Sequence, residues 1–287
     1  DALWVYRLVY PRDRLLLNSL EALERNERRA DRLRETPGQI RRLIRVQESI
    51  GQIEQELAAL EELESYDDQL FFRIARACME TRRFREARDL FQHLYERDIP
   101  ARAEECLYLA FVAASRVTPR SRAHAIAAEY ASAYSGGTYY DPVTLADAVL
   151  YAEEENWPRV LEGLTRALSV SPQHEDIVEC LYLLGYAGFM EERFEEAQAW
   201  LGRILDDFPG SLREADALYW LGMAFLFDAN YEDAFDRFIV LEVDHPDSIY
   251  ADDARFRAAT CAYGLGRYDD AERRLRAFLL AAPGSPL

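Results

Sequence analysis

The side chains able to do nucleophilic, acid–base or metal chemistry in this 287-residue chain are four histidines, four cysteines and 52 Asp and Glu. His93, His124, His174 and His245 are dispersed, and none joins an HExxH or a His/Cys cluster with ligand spacing. Cys78, Cys106, Cys180 and Cys261 lack any CxxC spacing and fall in apolar helical stretches. That predicts buried thiols, with a disulfide as the other reading. Carboxylate runs such as Glu153-Glu154-Glu155 read as solvated helix faces. The Asp244 to Asp253 joint is acidic enough to attract a cation, but its spacing fits no EF-hand loop. There is no GxxxxGK[ST] loop, no GxSxG elbow and no GxGxxG turn. This inventory predicts a non-enzymatic protein with no cofactor and no metal. The chemistry that remains is contact, carried by 17 tyrosines and 14 phenylalanines.

Those aromatics follow a period. Ala197, Ala234 and Ala271 stand 37 residues apart; an aromatic precedes each by three (Phe194, Tyr231, Tyr268) and a proline follows each by twelve (Pro209, Pro246, Pro283). A fixed period in the range of about 20–50 residues is the mark of a stacked-repeat architecture. Followed backwards, the same site holds Val160, Ala123 and Ala87, which gives six units over 68–103, 104–140, 141–177, 178–214, 215–251 and 252–287. Each unit reads as two amphipathic helices. A small residue recurs twelve before the marker (thirteen in the second unit): Ala75, Ala110, Ala148, Gly185, Gly222 and Ala259. A position without a long side chain lets the two helices of a unit cross closely. Four after the marker stand Phe91, Ala127, Leu164, Leu201, Phe238 and Leu275, one turn along the same face. Asn230, Asp269 and Asp270 are candidate caps for second helices, and the Pro209-Gly210-Ser211, Pro246-Asp247-Ser248 and Pro283-Gly284-Ser285 runs close units. The second unit departs most, with Arg120 at the aromatic site, Ser135 at the proline site and a Gly136-Gly137 joint. No segment alternates with period two, so strands are not expected.

Residues 1–66 differ. Two helices are predicted, over 13–35 and 37–65, the second opened by Thr36 as N-cap with Pro37 at its first position. In the second, Leu43, Val46, Ile50, Ile53, Leu57 and Leu60 form a heptad seam. The seam supports two readings: self-association through residues 40–65 as a coiled coil, or an intramolecular hairpin that caps the first repeat.

All 34 basic residues are arginine, and the formal net charge is −18. Such a field disfavours nucleic acid and anionic lipid as partners. No apolar run reaches the ~18 residues of a membrane span. The chain begins at Asp1 without a methionine and stops at Leu287 just after a second helix. The expectations are a processed or partial chain, and an end that further sequence or a partner covers.

The small residue, aromatic, alanine, bulky apolar residue and proline of residues 68–287 resemble the tetratricopeptide repeat in relative spacing. The unit of 36–37 residues, with a "PDSxxADDA"-like joint at Pro246 to Ala254, is similar to that of bacterial cell-envelope members: the coiled-coil protein associated with the Tol–Pal system and the outer-membrane assembly lipoproteins. The resemblance implies an all-α, right-handed superhelical solenoid of helix pairs whose first helices line a concave groove. It also implies a periplasmic or cell-envelope location, with the cytoplasm as the alternative. Groove-facing sites lie 15, 11, 8 and 7 residues before each marker. They place Phe72, Tyr108, Tyr182, Tyr186, Phe189, Tyr219, Met223, Phe227, Phe256 and Tyr263 on one wall, joined by Leu145 and Leu226. Such a wall suits protein or peptide segments that are apolar and neutral to basic. The expected function is a protein-protein interaction scaffold. The alternative is a structural subunit that meets its neighbours through the convex face, the N-terminal helices or the C-terminal end.

Overall fold

The structure is a computed structural model and describes residues 10–35, 39–63, 66–97 and 102–281. All fourteen regular elements among them are α-helices. The first two are α1 (Arg12–Arg34) and α2 (Ile40–Glu62). Pairs of 13 or 14 residues each follow: α3 (Asp67–Glu80) with α4 (Phe84–Glu96), α5 (Ala103–Ser115) with α6 (Ser121–Ala133), and α7 (Tyr140–Glu153) with α8 (Trp157–Val170). Then come α9 (Ile177–Met190) with α10 (Phe194–Asp207), α11 (Glu214–Phe227) with α12 (Tyr231–Asp244), and α13 (Ala251–Gly264) with α14 (Tyr268–Ala281). The chain forms two compact units, Asp1–Ile126 and Ala127–Leu287, divided within α6, in the stretch where the repeat signature is weakest.

The turn inside a pair has one construction in five of the six pairs. At the end of α3, α7, α9, α11 and α13 a residue takes positive φ: Arg82 (58°), Glu155 (56°), Glu192 (57°), Ala229 (59°) and Gly266 (72°). Its N–H bonds three residues back, and the next N–H bonds five back, as in Asn230 N to Phe225 O at 2.9 Å. This is the Schellman ending, whose left-handed residue suits glycine. Only one of the five is glycine, which hides the turn from a reading of glycines.

Packing inside a pair is set by the small position. Ala75, Ala110 and Ala259 are fully buried, as are the markers Ala87, Ala123, Val160, Ala197 and Ala234. Gly185 lies against the Leu201 side chain, and Gly222 against the Phe238 ring. Leu201 and Phe238 are the bulky residues four after the marker, so small residue and bulky residue meet at the crossing. Within residues 127–287, α9 also packs on α11, and α10 and α12 each pack on the first helix that follows.

In the other unit, α1 and α2 fold back along each other; Arg12 near the start of α1 donates from Nε to the Leu60 carbonyl near the end of α2 at 2.8 Å. Val46 and Leu57 of the seam are buried, and Leu43, Ile50, Ile53 and Leu60 are half-buried. The Thr36–Pro37 helix start lies outside the described residues. Asp67, at the head of α3, has no solvent exposure. Its carboxylate accepts the N–H groups of Arg12 and Asp13, the latter at 3.0 Å. Those are orphan donors at the N-terminus of α1, where a carboxylate is favoured by both hydrogen bonding and the helix dipole. Tyr66 adds an O–H donated to the Tyr10 carbonyl at 2.6 Å. No helix among the described residues is long and apolar enough to cross a membrane.

Candidate functional site

Sites 15, 11, 8 and 7 before the marker are separated by four, three and one residues, which places them on one face of each first helix. In the N-terminal unit that face holds Phe72 and Tyr108. Phe72 is buried edge-on against Phe91 (centroids 5.7 Å apart), and the Arg102 guanidinium covers its ring at 4.6 Å. Tyr108 is half-buried on α5.

The remaining residues of the wall lie in the C-terminal unit: Leu145, half-buried, on α7, and the others on α9, α11 and α13. Tyr182 is half-buried under Arg213, whose guanidinium lies 4.3 Å from the ring centroid. Arg213 is itself held by both oxygens of Glu179 and one of Asp216, each at 2.8 Å. These bonds push the Arg213 pKa further up against the opposing effect of burial. Burial, with Tyr250 and Asp216 nearby, raises the Tyr182 hydroxyl, and burial raises that of Tyr186. Both remain neutral donors.

Rings then follow one another across helices. Tyr186 meets Trp157 at 5.3 Å and Trp220 at 4.7 Å; Phe189 meets Trp220 at 5.1 Å, Phe194 at 5.8 Å and Phe227 at 5.6 Å. Phe194 and Phe227 stack at 5.8 Å. Such pairs each add about 0.5–1.5 kcal/mol beyond area burial. At the far end Phe227 is 59% exposed, and Tyr263, edge-on to Tyr268, is 65% exposed. Phe256 is half-buried against Phe278.

Phe72, placed on the wall by its spacing, is buried at 8% exposed, and two further wall residues in the C-terminal unit are core residues as well. Tyr219 is 8% and Met223 7% exposed. Tyr219 is roofed by Tyr250 from the next joint, ring on ring at 4.2 Å, and donates its O–H to Asp253 at 2.5 Å. Burial first, then that hydrogen bond and the Asp253 charge, raise its pKa. Met223 belongs to the cluster built on Phe238, Leu241 and Ala258. The rings of the wall that stay accessible in the C-terminal unit are therefore Tyr182, Tyr186, Phe189, Phe227, Phe256 and Tyr263.

Spacing within the first helices missed the residues that tie this surface together. Trp220 touches Tyr186, Phe189, Tyr219 and Tyr250. Its buried indole N–H has no acceptor among the described residues, so the ring is held by packing. Trp157 and Phe194 stand three before their markers, so the aromatic that signals the repeat also braces the wall. That signal was present in the sequence; Trp220 and Tyr250 carried none.

The tetratricopeptide repeat family model matches residues 216–248 and 253–285, which are α11 with α12 and α13 with α14. Both matched stretches are tetratricopeptide repeats. Two solved structures share the fold with this repeat protein. RapI in its apo form is 13% identical, with 95% of this chain and 78% of that one covered and a TM-score of 0.52. A tetratricopeptide repeat protein from Parabacteroides merdae is 15% identical, with 74% and 79% covered and a TM-score of 0.51. No curated protein sequence matches the chain significantly. The tetratricopeptide fold is that of an interaction scaffold, which presents extended surfaces to protein or peptide partners. Among its described residues no group of three or more His, Cys, Asp or Glu could hold a metal ion.

Proposed function

We propose that this protein is a non-enzymatic scaffold whose partner segments dock along the aromatic face of α9, α11 and α13. Residues 67–287 act as six repeats and residues 1–66 as the hairpin that covers their N-terminal end. One observation carries the reading: the ring series from Trp157 ends at Phe227, and Phe227 and, on α13, Tyr263 are large aromatic surfaces more than half exposed. Stack stability does not account for that exposure, and aromatic anchors of this kind dominate protein interfaces.

Charge supports the partner's chemistry. Residues 1–126 contain 22 arginines against 22 Asp and Glu, whereas residues 127–287 contain 12 against 30. The whole net charge of −18 thus belongs to the unit with the aromatic face. Apolar segments with neutral or basic flanks are favoured there. The likeness of the 37-residue unit to cell-envelope repeat proteins supports a role in bacterial envelope assembly or maintenance.

A second reading rests on the N-terminal helices. Leu17, Leu20, Ile40 and Ile44 are each about half exposed or more, which suits contact with a neighbouring subunit or a second copy. Affinity capture from the native organism separates the two. If the aromatic face binds, Phe227→Ala with Tyr263→Ala loses the captured partners and deletion of residues 1–66 does not. The reverse pattern establishes the subunit reading and removes the groove.

A further inference from the structure

The N-terminal unit holds a recess of about 380 Å³ whose chemistry is opposite to that of the acidic C-terminal unit. Its rim is built on α3. Gln69, Arg73, Arg76 and Glu80 follow one another at spacings of four, three and four, and so project from one face of that helix. Phe72 forms the floor, buried and backed by Phe91. Arg102, from the residue just before α5, lies over the floor with its guanidinium 4.6 Å from the Phe72 ring centroid.

None of the three guanidinium groups is ion-paired among the described residues. Arg83, Arg88 and Arg97 of the same unit, by contrast, are each held by a carboxylate at their own site. Three positive side chains face one negative side chain, Glu80, at the rim. The cation–π contact fixes Arg102 in advance, which lowers the ordering cost of a bidentate contact. The size lies within the range of about 300–1,000 Å³ typical of ligand pockets.

We propose that this recess binds a phosphate monoester carried on a partner peptide. A single carboxylate brings one charge and two oxygens, which one guanidinium fork satisfies. A phosphorylated side chain brings a charge of about −1.5 to −2 and three acceptor oxygens. That matches three guanidinium groups offset by one carboxylate, and clusters of arginine are a recurring mode of phosphopeptide recognition. The site lies on different helices from the aromatic face and stands whether or not that face binds.

The experiment titrates the full chain with three probes: inorganic phosphate, a fluorescent phosphoserine peptide with neutral flanks, and the same peptide with two adjacent glutamates replacing the phosphoserine. The phosphopeptide should bind at least tenfold more tightly than the glutamate peptide and be displaced by millimolar phosphate. Arg73→Gln with Arg76→Gln should weaken it at least tenfold, and Arg102→Gln separately by a similar factor, with helicity unchanged because all three side chains are exposed. Equal affinity for the glutamate peptide would overturn the dianion assignment. Binding of inorganic phosphate without the phosphopeptide would overturn the peptide source. No binding of either, or undiminished binding in the variants, would overturn the site.

Discussion

Gly222→Ala tests the helix crossing at which a small residue meets a bulky one. A Cβ built on Gly222 would lie 2.8 Å from Cε1 and 2.9 Å from Cζ of Phe238, a ring with no solvent exposure. Tyr219 packs on that ring at 6.2 Å, so it cannot swing aside freely. Overpacking of this kind costs about 1–3 kcal/mol, and replacing a mid-helix glycine with alanine returns about 1 kcal/mol of helix propensity. The net is a destabilisation of about 1 kcal/mol. In a Phe238→Ala background the obstructing side chain is gone and only the propensity gain remains. Gly222→Ala should then stabilise by about 1 kcal/mol, a coupling of roughly 2 kcal/mol against the ~0.5 kcal/mol expected of independent sites. Urea unfolding of the four proteins, followed by circular dichroism and by tryptophan emission, measures the cycle; Trp220 lies two residues from the glycine and reports locally. Additive effects of the two substitutions would refute the crossing.

Three further outcomes are expected. Ala229 occupies a left-handed Schellman position at φ 59°, so Ala229→Gly should raise stability by about 0.5–1 kcal/mol; a loss in the urea midpoint would contradict the turn. Removing the Asp67 carboxylate strips the buried acceptor from two amides at the start of α1, so Asp67→Ala should cost about 2 kcal/mol, with hydrogen exchange accelerated in residues 12–34; unchanged protection there would separate the hairpin from that contact. Burial pushes the Cys106 and Cys261 thiols up to about 11 and Cys180 up to about 12. Unfolded thiols lose their protons near pH 8.5–9, so between about pH 9 and 11 the unfolded state binds fewer protons and stability falls as pH rises, by at most about 1.4 kcal/mol per unit for each thiol. Cys180→Ala should flatten that alkaline slope in urea midpoints taken from pH 8 to 10, and an unaltered slope would count against its burial.

The helix pairs were legible because the constraint that makes them is local and repeated. A small residue and a bulky one meet at the same crossing in successive units, so Gly222 and Phe238 carry the same spacing as Gly185 and Leu201. The candidate wall was legible in part. Tyr182, Phe227 and Tyr263 could be addressed from the period, but which positions stay accessible depends on what the next joint lays over them. Tyr250 roofs Tyr219, and no spacing within α11 signals that. Trp220 was hidden for the same reason, since it faces a neighbouring helix rather than a fixed site of its own unit. Asp67 reads as one acidic residue among many until the fold brings it to the start of α1, more than fifty residues earlier. The even charge of residues 1–126 became visible only once the division within α6 was known.

The docking surface is tested most directly with peptides selected by display on the intact protein and titrated by tryptophan emission, because Trp157 and Trp220 lie within the ring series. Selected peptides should be apolar with neutral or basic flanks. Phe227→Ala with Tyr263→Ala should weaken them by about 2 kcal/mol or more, roughly 30-fold, for the loss of interface anchors. Because both side chains are more than half exposed, the melting temperature should stay within a few degrees of the parent. Unchanged affinity in that variant, or selection of acidic peptides that bind away from these tryptophans, would contradict a partner site on α9, α11 and α13.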